Sequence, residues 1–346
     1  MTTADAVLHA TRRYLRDHPS ASLCVGITHR GEHHVQSLQG AAGAPPAVDS
    51  LYALGTLTQV FTGGLLALLV DRGEVRLDTP LQELIPRPLL PDEAAGRITL
   101  EQLATHTSGM PHDPPNLRTP QQNPSDPYGH YSAALFGEFL RGYRPQHPPP
   151  RKPSESIIGQ GVLGHALSRR LRLNYGHAVR DFLCTPLGLG DTTFRLSESQ
   201  EPRLRPGHTA RGVAVPGWTF PALPGAGALY STVPDLLRFL DANLGHQDAG
   251  LGQALRLAHA PRVKTRGGGM GLGWKSSQVK GQSIVWRASM MGGTSGFLGF
   301  SAETDTGVVL LSDHTGGFLA SLLRRTPLET PGFDLLESPL QTKATP

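Results

Sequence analysis

This sequence of 346 residues has few cysteines, no run of like charges and no long apolar segment. Each of these features argues against a class of protein. The two cysteines, Cys24 and Cys184, lie far apart and outside any C-x-x-C or Cys/His ligand spacing, which disfavours a disulfide framework and a structural zinc site. The 32 Lys+Arg are scattered among 28 Asp+Glu without a basic run, so nucleic acid is not the expected partner.

The sequence also lacks membrane and export signals. Its longest apolar stretch, near residues 60–70, falls short of the roughly 18 residues that a membrane span needs. The first twenty residues read as an amphipathic helix without the apolar segment of a secretory signal. If Met1 is the native start, we expect a cytoplasmic protein that does not contact a membrane.

Two lobes are expected from the length, at about 100–200 residues per domain. A helix, then a hairpin joined at Arg30-Gly31, opens the chain. The segments GLGWKSSQ, QSIVWRAS, SGFLGFSA and GVVLLSD predict consecutive antiparallel strands, followed by a helix at FLASLLRR. We therefore predict an α/β sheet lobe from residues 1–75 and 225–346, with a mainly helical lobe, 76–224, inserted between them.

Helical patterns dominate the middle of the chain. A buried helix begins near Thr56, and further helices are predicted in VLGHALSRRL, in HAVRDFLCTPLG and after the turn LPGAG, where Pro234 occupies a first helical turn. Residues 111–153 hold 11 of the 30 prolines, which predicts an extended wrapping segment broken by one short helix at AALFGEFLRG.

Three glycines imitate a dinucleotide-binding fingerprint. Gly159, Gly161 and Gly164 have G-x-G-x-x-G spacing, with Asp181 about twenty residues later. The fingerprint needs a preceding buried strand, whereas the lead-in here is PPPRKPSES. We expect no nucleotide cofactor.

Two further matches are to nucleophile motifs. Ser277 and Lys280 form S-x-x-K, which requires a helix to bring both onto one face, but this stretch reads as a strand. His314-Thr315-Gly316 resembles a strand motif but follows a strand's end. No G-x-S-x-G elbow occurs, which argues against an α/β-hydrolase.

Fifteen histidines raise the question of a metal site. His29, His33 and His34 cluster across the predicted hairpin without a neighbouring carboxylate pair. We interpret them as an exposed polar cluster and expect no metal.

The order of several longer segments is more specific. The segments are LYALGTLTQVFTGGLLALLVDRGEVRLDTPLQELIP, ITLEQLATHTSGMP, GQGVLG, FLCTPLGLGDTTF, GALYSTVPDLLRF, GLGW and GGTSGFLGF. Together they resemble, over nearly the whole chain, the serine β-lactamase-like family of class C β-lactamases, D-alanyl-D-alanine carboxypeptidases and related esterases. The resemblance implies that family's two-lobe α/β fold, with an antiparallel sheet flanked by N- and C-terminal helices and an inserted helical lobe.

The resemblance also implies where the site lies, and the residue types there are unusual. Thr56 stands where the family has its nucleophilic Ser, and Gln59 where it has a Lys one turn later. Glu155 and Ile157 stand at the Tyr and Asn of the second motif. An amide has no usable basicity, so Gln59 cannot act as a general base.

The third motif implies a strand beside the nucleophile. Met290 stands at its cationic position, and Gly292, Gly293 and Thr294 form the turn that would contact substrate. The N–H of Thr56 and one from this strand are the expected oxyanion donors. Glu155 would either activate a water or lie solvated at the rim.

These substitutions favour a family member that is catalytically inactive or weakly hydrolytic toward lactams and esters. One alternative is a genuine hydrolase using Thr56, Glu155 or a nearby Ser in an unusual arrangement. The other is a non-enzymatic ligand-binding or interaction protein. The expected partner is a small molecule, and the oligomeric state is left open.

Overall fold

The computed structural model describes residues 2–41, 44–247, 250–316 and 326–338. Twelve strands occur within these ranges. They are β1 Ser22–His29, β2 Glu32–Gln39, β3 Tyr52–Ala53, β4 Gly207–His208, β5 Ala214–Val215, β6 Tyr230–Ser231, β7 Val263–Thr265, β8 Gly268–Met270, β9 Lys275–Val279, β10 Gln282–Met291, β11 Thr294–Ser301 and β12 Thr306–Ser312.

Eleven α-helices accompany the strands in the same ranges. They are α1 Thr3–Asp17, α2 Thr58–Asp71, α3 Glu93–Gly96, α4 Leu100–Ala104, α5 Ala133–Gly142, α6 Ile157–Leu171, α7 Tyr175–Val179, α8 Pro224–Gly227, α9 Val233–Leu244, α10 Gly252–His259 and α11 Glu329–Glu337.

The main sheet has eight strands in the order β2-β1-β12-β11-β10-β9-β8-β7, and every neighbouring pair is antiparallel. Its centre joins strands from distant parts of the chain, since Val25 of β1 lies opposite Leu310 of β12. Arg30 and Gly31 both adopt positive φ, 53° and 79°, in the two-residue turn between β1 and β2. The predicted hairpin and the four predicted C-terminal strands are confirmed.

Helices cover both faces of this sheet. On one face α1 and α11 pack over a core that includes Val7, Ile27 and Phe297. On the other, α9 lies across β1 and β12, and α2 joins the larger core that also contains the helices of the middle segment. Both faces of β11 and β12 are therefore buried.

Helix α2 is buried along nearly its whole length, as predicted. It follows a 3₁₀ turn at Gly55–Leu57. A Cβ added at Gly63 would lie 1.9 Å from the Leu272 carbonyl oxygen, so this glycine lets the helix approach the segment before β9. Close packing holds α2 against α10, α8 and the segment before β9.

The glycine fingerprint lies inside helix α6 and not in a loop after a strand. A Cβ on Gly161 would come within 2.4 Å of Leu223, and one on Gly164 within 3.0 Å of the Cα of Gly225. The glycines therefore permit close packing of α6 against α8 and do not form the strand-to-helix turn that the fingerprint requires.

Some elements were not predicted. The short strands β7 and β8 were missed, and so was α11, whose sequence contains Pro331. The predicted helix at FLASLLRR, residues 318–325, lies outside the described residues. The division into lobes at residues 75 and 225 stays a prediction.

Among the residues that the structure describes, no helix combines the length and the apolar character needed to cross a membrane.

Candidate active site

Thr56 lies in the 3₁₀ turn Gly55–Leu57 that leads into α2. Its backbone N–H donates to Ser289 Oγ at 2.9 Å, and its hydroxyl donates to the Ala288 carbonyl at 3.2 Å. Strand β10 thus engages both groups on which acyl transfer at Thr56 would depend. The Ser289 hydroxyl occupies the N–H that we expected to serve as an oxyanion donor.

Gln59, one helical turn after Thr56, is fully buried and bonded on three sides. Its Oε1 accepts from Arg287 Nη2 and, at 3.1 Å, from His106 Nε2. Its Nε2 donates to the Ala226 carbonyl at 3.4 Å. An amide held in this way cannot receive a proton from Thr56. Gln59 instead links α2 to β10.

Arg287 is 1% exposed, and Glu155 neutralises its charge in a bidentate pair. The contacts are Nη1 to Oε1 at 3.1 Å and Nη2 to Oε2 at 2.8 Å. Lys275 Nζ lies 3.1 Å from the same carboxylate. The Glu155 and Lys275 side chains are 31% and 34% exposed, so they face solvent while Arg287 does not. Two cations and one carboxylate leave this cluster with one net positive charge.

His106 completes the cluster from the end of α4, with a positive φ of 57°. Its Nδ1 accepts from the Ser156 backbone N–H at 3.2 Å, so we assign the proton to Nε2, which points to Gln59 at 3.1 Å and Glu155 at 3.3 Å. Burial lowers the pKa of His106 to about 4; Glu155 opposes this shift and Arg287 adds to it. His106 is therefore neutral at pH 7.

Glu155 is the ionisable residue that the sequence placed at a motif position. Burial alone would raise the pKa of its carboxyl, but the positive charges of Arg287 and Lys275, together with His106, hold that pKa well below its usual range. A carboxylate so strongly stabilised is a poor proton acceptor at neutral pH. The geometry therefore favours an ion-pair role over activation of a water.

Ile157, predicted at the amide position of the second motif, is a buried core residue. It is the first residue of α6, and its N–H donates to the His112 carbonyl at 2.8 Å. Its side chain contributes no hydrogen bond to the cluster around Arg287.

Met290 faces away from Thr56. Alternate residues of a strand point to opposite faces, and Arg287 and Ser289 share the face that contacts α2. Met290 Sδ instead accepts from the Gly316 N–H at 3.2 Å. The cation that β10 contributes to the site is therefore Arg287, three residues before the position that we predicted from sequence.

The turn from β10 to β11 contains the three residues predicted to contact substrate. Gly292 and Gly293 adopt φ of 56° and 83°, which favours glycine. Thr294 is buried, and its hydroxyl contacts the carbonyls of Ala53, at 3.1 Å, and Met291, at 2.9 Å. These contacts fix the turn; its role in binding substrate stays a prediction.

The S-x-x-K match is a coincidence, as expected. Ser277 lies on β9, whereas Lys280 lies in the following turn with φ 50° and pairs with Glu337. The two side chains do not share a helix face.

The histidines of β1 and β2 bind separate partners and do not form one ligand set. The pairs are His29 with Thr306, His33 with Asp241 and His34 with Gln36.

Sequence reasoning missed Arg287, His106 and Lys275. Arg287 had a usable signal, because it is a charged residue within the apolar alternation of QSIVWRAS. A buried charge requires a partner, and Glu155 was the unexplained carboxylate. The pairing itself depends on tertiary contacts between β10 and the residues before α6.

Comparison with known proteins identifies relatives along most of the chain. The family model described as Beta-lactamase matches residues 9–327. The D-alanyl-D-alanine-carboxypeptidase/endopeptidase AmpH of Escherichia coli (strain K12) is 28% identical over 200 residues, which cover 58% of this chain and 50% of AmpH. Esterase EstB of Burkholderia gladioli is 28% identical over 291 residues, which cover 72% of this chain and 74% of EstB. The chain thus spans about half the length of AmpH.

Solved structures show the same fold. A class C beta lactamase from Rhodobacter sphaeroides superposes with a TM-score of 0.79 at 23% identity, covering 96% of this chain and 98% of that one. A beta-lactamase/D-alanine carboxypeptidase from Pseudomonas syringae gives a TM-score of 0.82 at 19% identity, covering 99% of each chain. These similarities confirm the fold predicted from the order of the sequence motifs.

Proposed function

Because this chain belongs to the Beta-lactamase family, we propose that it keeps the family's cleft for a small molecule but does not transfer an acyl group there. One observation carries the proposal. The hydroxyl and N–H of Thr56 are both committed to β10, and the residue one turn later, Gln59, is an amide held by Arg287. A nucleophile needs a base to take its proton, and none of these contacts supplies one.

The charge arrangement supports the same proposal. Arg287 and Glu155 neutralise each other, and the nearby His106 is neutral with its Nδ1 occupied by the Ser156 N–H. Glu155 and His106, the groups in this cluster that could accept a proton, are therefore already engaged in an ion pair and a hydrogen bond. Lys275 and Glu155, each about one third exposed, are the polar groups that a bound molecule would meet.

Intact-mass spectrometry after prolonged incubation with benzylpenicillin tests the proposal. We expect an unmodified protein mass and penicillin recovered intact. A stoichiometric increase in mass that maps to the peptide containing Thr56 would contradict the proposal, because it would identify Thr56 as a working nucleophile.

The double variant Thr56→Ser with Gln59→Lys tests whether the family's Ser and Lys alone are enough for hydrolysis. It restores the family's Ser and Lys on one helix face, but the new ammonium would lie against the Arg287 guanidinium, which now contacts Gln59 Oε1. Like charges in a buried site repel and disfavour the charged lysine. We expect hydrolysis of a chromogenic cephalosporin to stay within about tenfold of wild type, that is, within about 1.4 kcal/mol of barrier. A much larger gain would contradict this, because it would show that the residues at the other motif positions, Glu155, Ile157 and Met290, do not limit hydrolysis.

A further inference from the structure

A second polar cluster lies where β12 ends and β1 begins, on residues outside the cluster around Arg287. His314 is 1% exposed, and its Nδ1 is 2.8 Å from Asp313 Oδ1. Its Nε2 is 2.9 Å from the Oγ of Ser20, an exposed residue in the turn between α1 and β1. A serine hydroxyl, an imidazole and a carboxylate are thus bonded in sequence.

The carboxylate of Asp313 is firmly held. It accepts from the Ser22 N–H at 2.8 Å and the Ser22 hydroxyl at 2.5 Å, and Arg205 Nη2 lies 2.8 Å from Oδ2. Burial alone would raise the pKa of Asp313, but the hydrogen bonds from His314, Ser22 and Arg205 hold it well below its usual range. An ionised Asp313 fixes the proton on His314 Nδ1, which leaves Nε2 free to accept the proton of Ser20.

A cation is a poor occupant of this cluster. His208, Asp313 and His314 do place potential ligand atoms within 4.8 Å of one another. However, both oxygens of Asp313 already accept two donors each, and one of these donors is the positive guanidinium of Arg205. The ring of His208 stacks on that of His314 at 4.8 Å between centroids, which fixes the imidazole plane.

We propose that Ser20 is an activated nucleophile, with His314 as its general base and Asp313 as the residue that orients the base. A serine and a base within hydrogen-bond reach, with the base held by a third group, is the arrangement that makes a hydroxyl reactive. The compounds that it would take are activated esters and phosphonyl fluorides, whose electrophilic centres can reach an exposed hydroxyl.

Hydrolysis of an ester at this cluster would require only these residues and water. Ser20 Oγ bonds to the carbonyl carbon of the ester while its proton passes to His314 Nε2. The carbon–oxygen bond to the alcohol then breaks, and the alcohol leaves with that proton. Water attacks the acyl-serine, gives a proton to His314, and releases the acid as the proton returns to Ser20 Oγ.

Labelling with a tagged alkyl fluorophosphonate, followed by peptide mapping, tests the proposal. We expect one label per chain on Ser20, lost in Ser20→Ala and unchanged in Ser199→Ala. Ser199 is an exposed serine whose hydroxyl bonds to Ser197 and not to a histidine. Because general bases contribute about 10²–10⁴-fold, we expect His314→Gln to slow labelling by at least 10²-fold.

A second measurement does not depend on the buried imidazole variant folding. In Ser20→Cys, His314 would promote ionisation of the thiol, so iodoacetamide should alkylate it at least tenfold faster than the thiol in Ser199→Cys. The native Cys24 and Cys184 are buried and give little background. Equal alkylation rates, or a fluorophosphonate label absent from Ser20, would overturn the proposal. A penicillin adduct on Thr56 would contradict only the proposed function of the family cleft.

Discussion

At the scale of single residues, the candidate site is dominated by charge pairing. Arg287 lies in the core, has Glu155 as its carboxylate partner and also donates to Gln59 of α2. Burying a guanidinium costs free energy unless a carboxylate and further hydrogen bonds compensate it. Gln59 supplies one of those bonds, which explains why an uncharged residue is suited to this position.

His106 makes the stability of the protein depend on pH in a defined window. Its pKa falls from 6.5 to about 4 on folding because the ring is buried, so the unfolded chain binds the extra proton between these values. The contribution of the neutral, buried His106 to stability is therefore fully present above pH 6.5 and is lost as the pH falls toward 4. From the linkage relation, we expect His106 to account for a loss of about 2 kcal/mol between pH 7 and pH 5.

Urea unfolding of wild type and His106→Asn at the two pH values measures this contribution. Asn tolerates the positive φ at this position better than most residues, which makes it the suitable replacement. Glu155 is present in both proteins, and the positive charges around it hold the pKa of its carboxyl well below the usual range. Equal losses of stability in the two proteins would show that His106 is not buried in its neutral form.

The residues of the site were only partly predictable from sequence. Thr56, Gln59 and Glu155 were identified by motif order. Gln59 and Glu155 contact Arg287, whereas Thr56 bonds to Ala288 and Ser289 on the same strand. Met290 was assigned to the site by its distance from GGTSGF, whereas strand parity directs its side chain to the other face. The alternation along a strand shows which residues share a face, but it does not show which of the two faces contacts the helix.

At the scale of elements, helix α2, which contains Gln59, packs closely against its surroundings. Gly63 and Gly64 are adjacent in this helix and have different surroundings. A Cβ on Gly63 would lie 1.9 Å from the Leu272 carbonyl oxygen, whereas a Cβ on Gly64 would have its nearest neighbour, Leu183, at 3.6 Å.

These two glycines give a matched pair of substitutions. We expect Gly63→Ala to destabilise the protein by about 1–3 kcal/mol, because the helix must move away from a backbone carbonyl. We expect Gly64→Ala to be neutral or to stabilise it by up to about 1 kcal/mol, since alanine is the better helix former. Chemical denaturation of both variants decides the matter, and equal effects would contradict the packing described for α2.

Element prediction succeeded where the pattern was local. The hairpin at Arg30-Gly31 and the helix with Pro234 in its first turn depend on turn and capping chemistry that the sequence displays directly. Helix α11 contains Pro331 in its first turn but begins without a side-chain cap, so its sequence gave little signal. Strands β7 and β8 are only three residues each, too short for an alternation to be recognised.

At the scale of the whole molecule, burial is greatest at the centre of the main sheet. Strands β11 and β12 are buried on both faces, whereas β7 at the far edge has two exposed residues out of three. Amide exchange follows the free energy of local opening, which is highest in such a core. We expect the β11 and β12 amides to exchange slowest and those of β7 and β8 much faster in hydrogen–deuterium exchange measured by mass spectrometry. Equal protection of the edge and the centre would contradict this.

The pairing of β1 with β12 has a consequence for synthesis on the ribosome. His29 and Thr306 are 277 positions apart, so at about 5–20 residues per second β1 waits roughly 15–55 s before its partner is translated. During that interval the nascent hairpin has an unpaired, apolar strand edge, of the kind that templates association with other chains. Pairing at the centre of the sheet is therefore delayed until β12 has been made, and β1 is an association-prone strand edge during that interval.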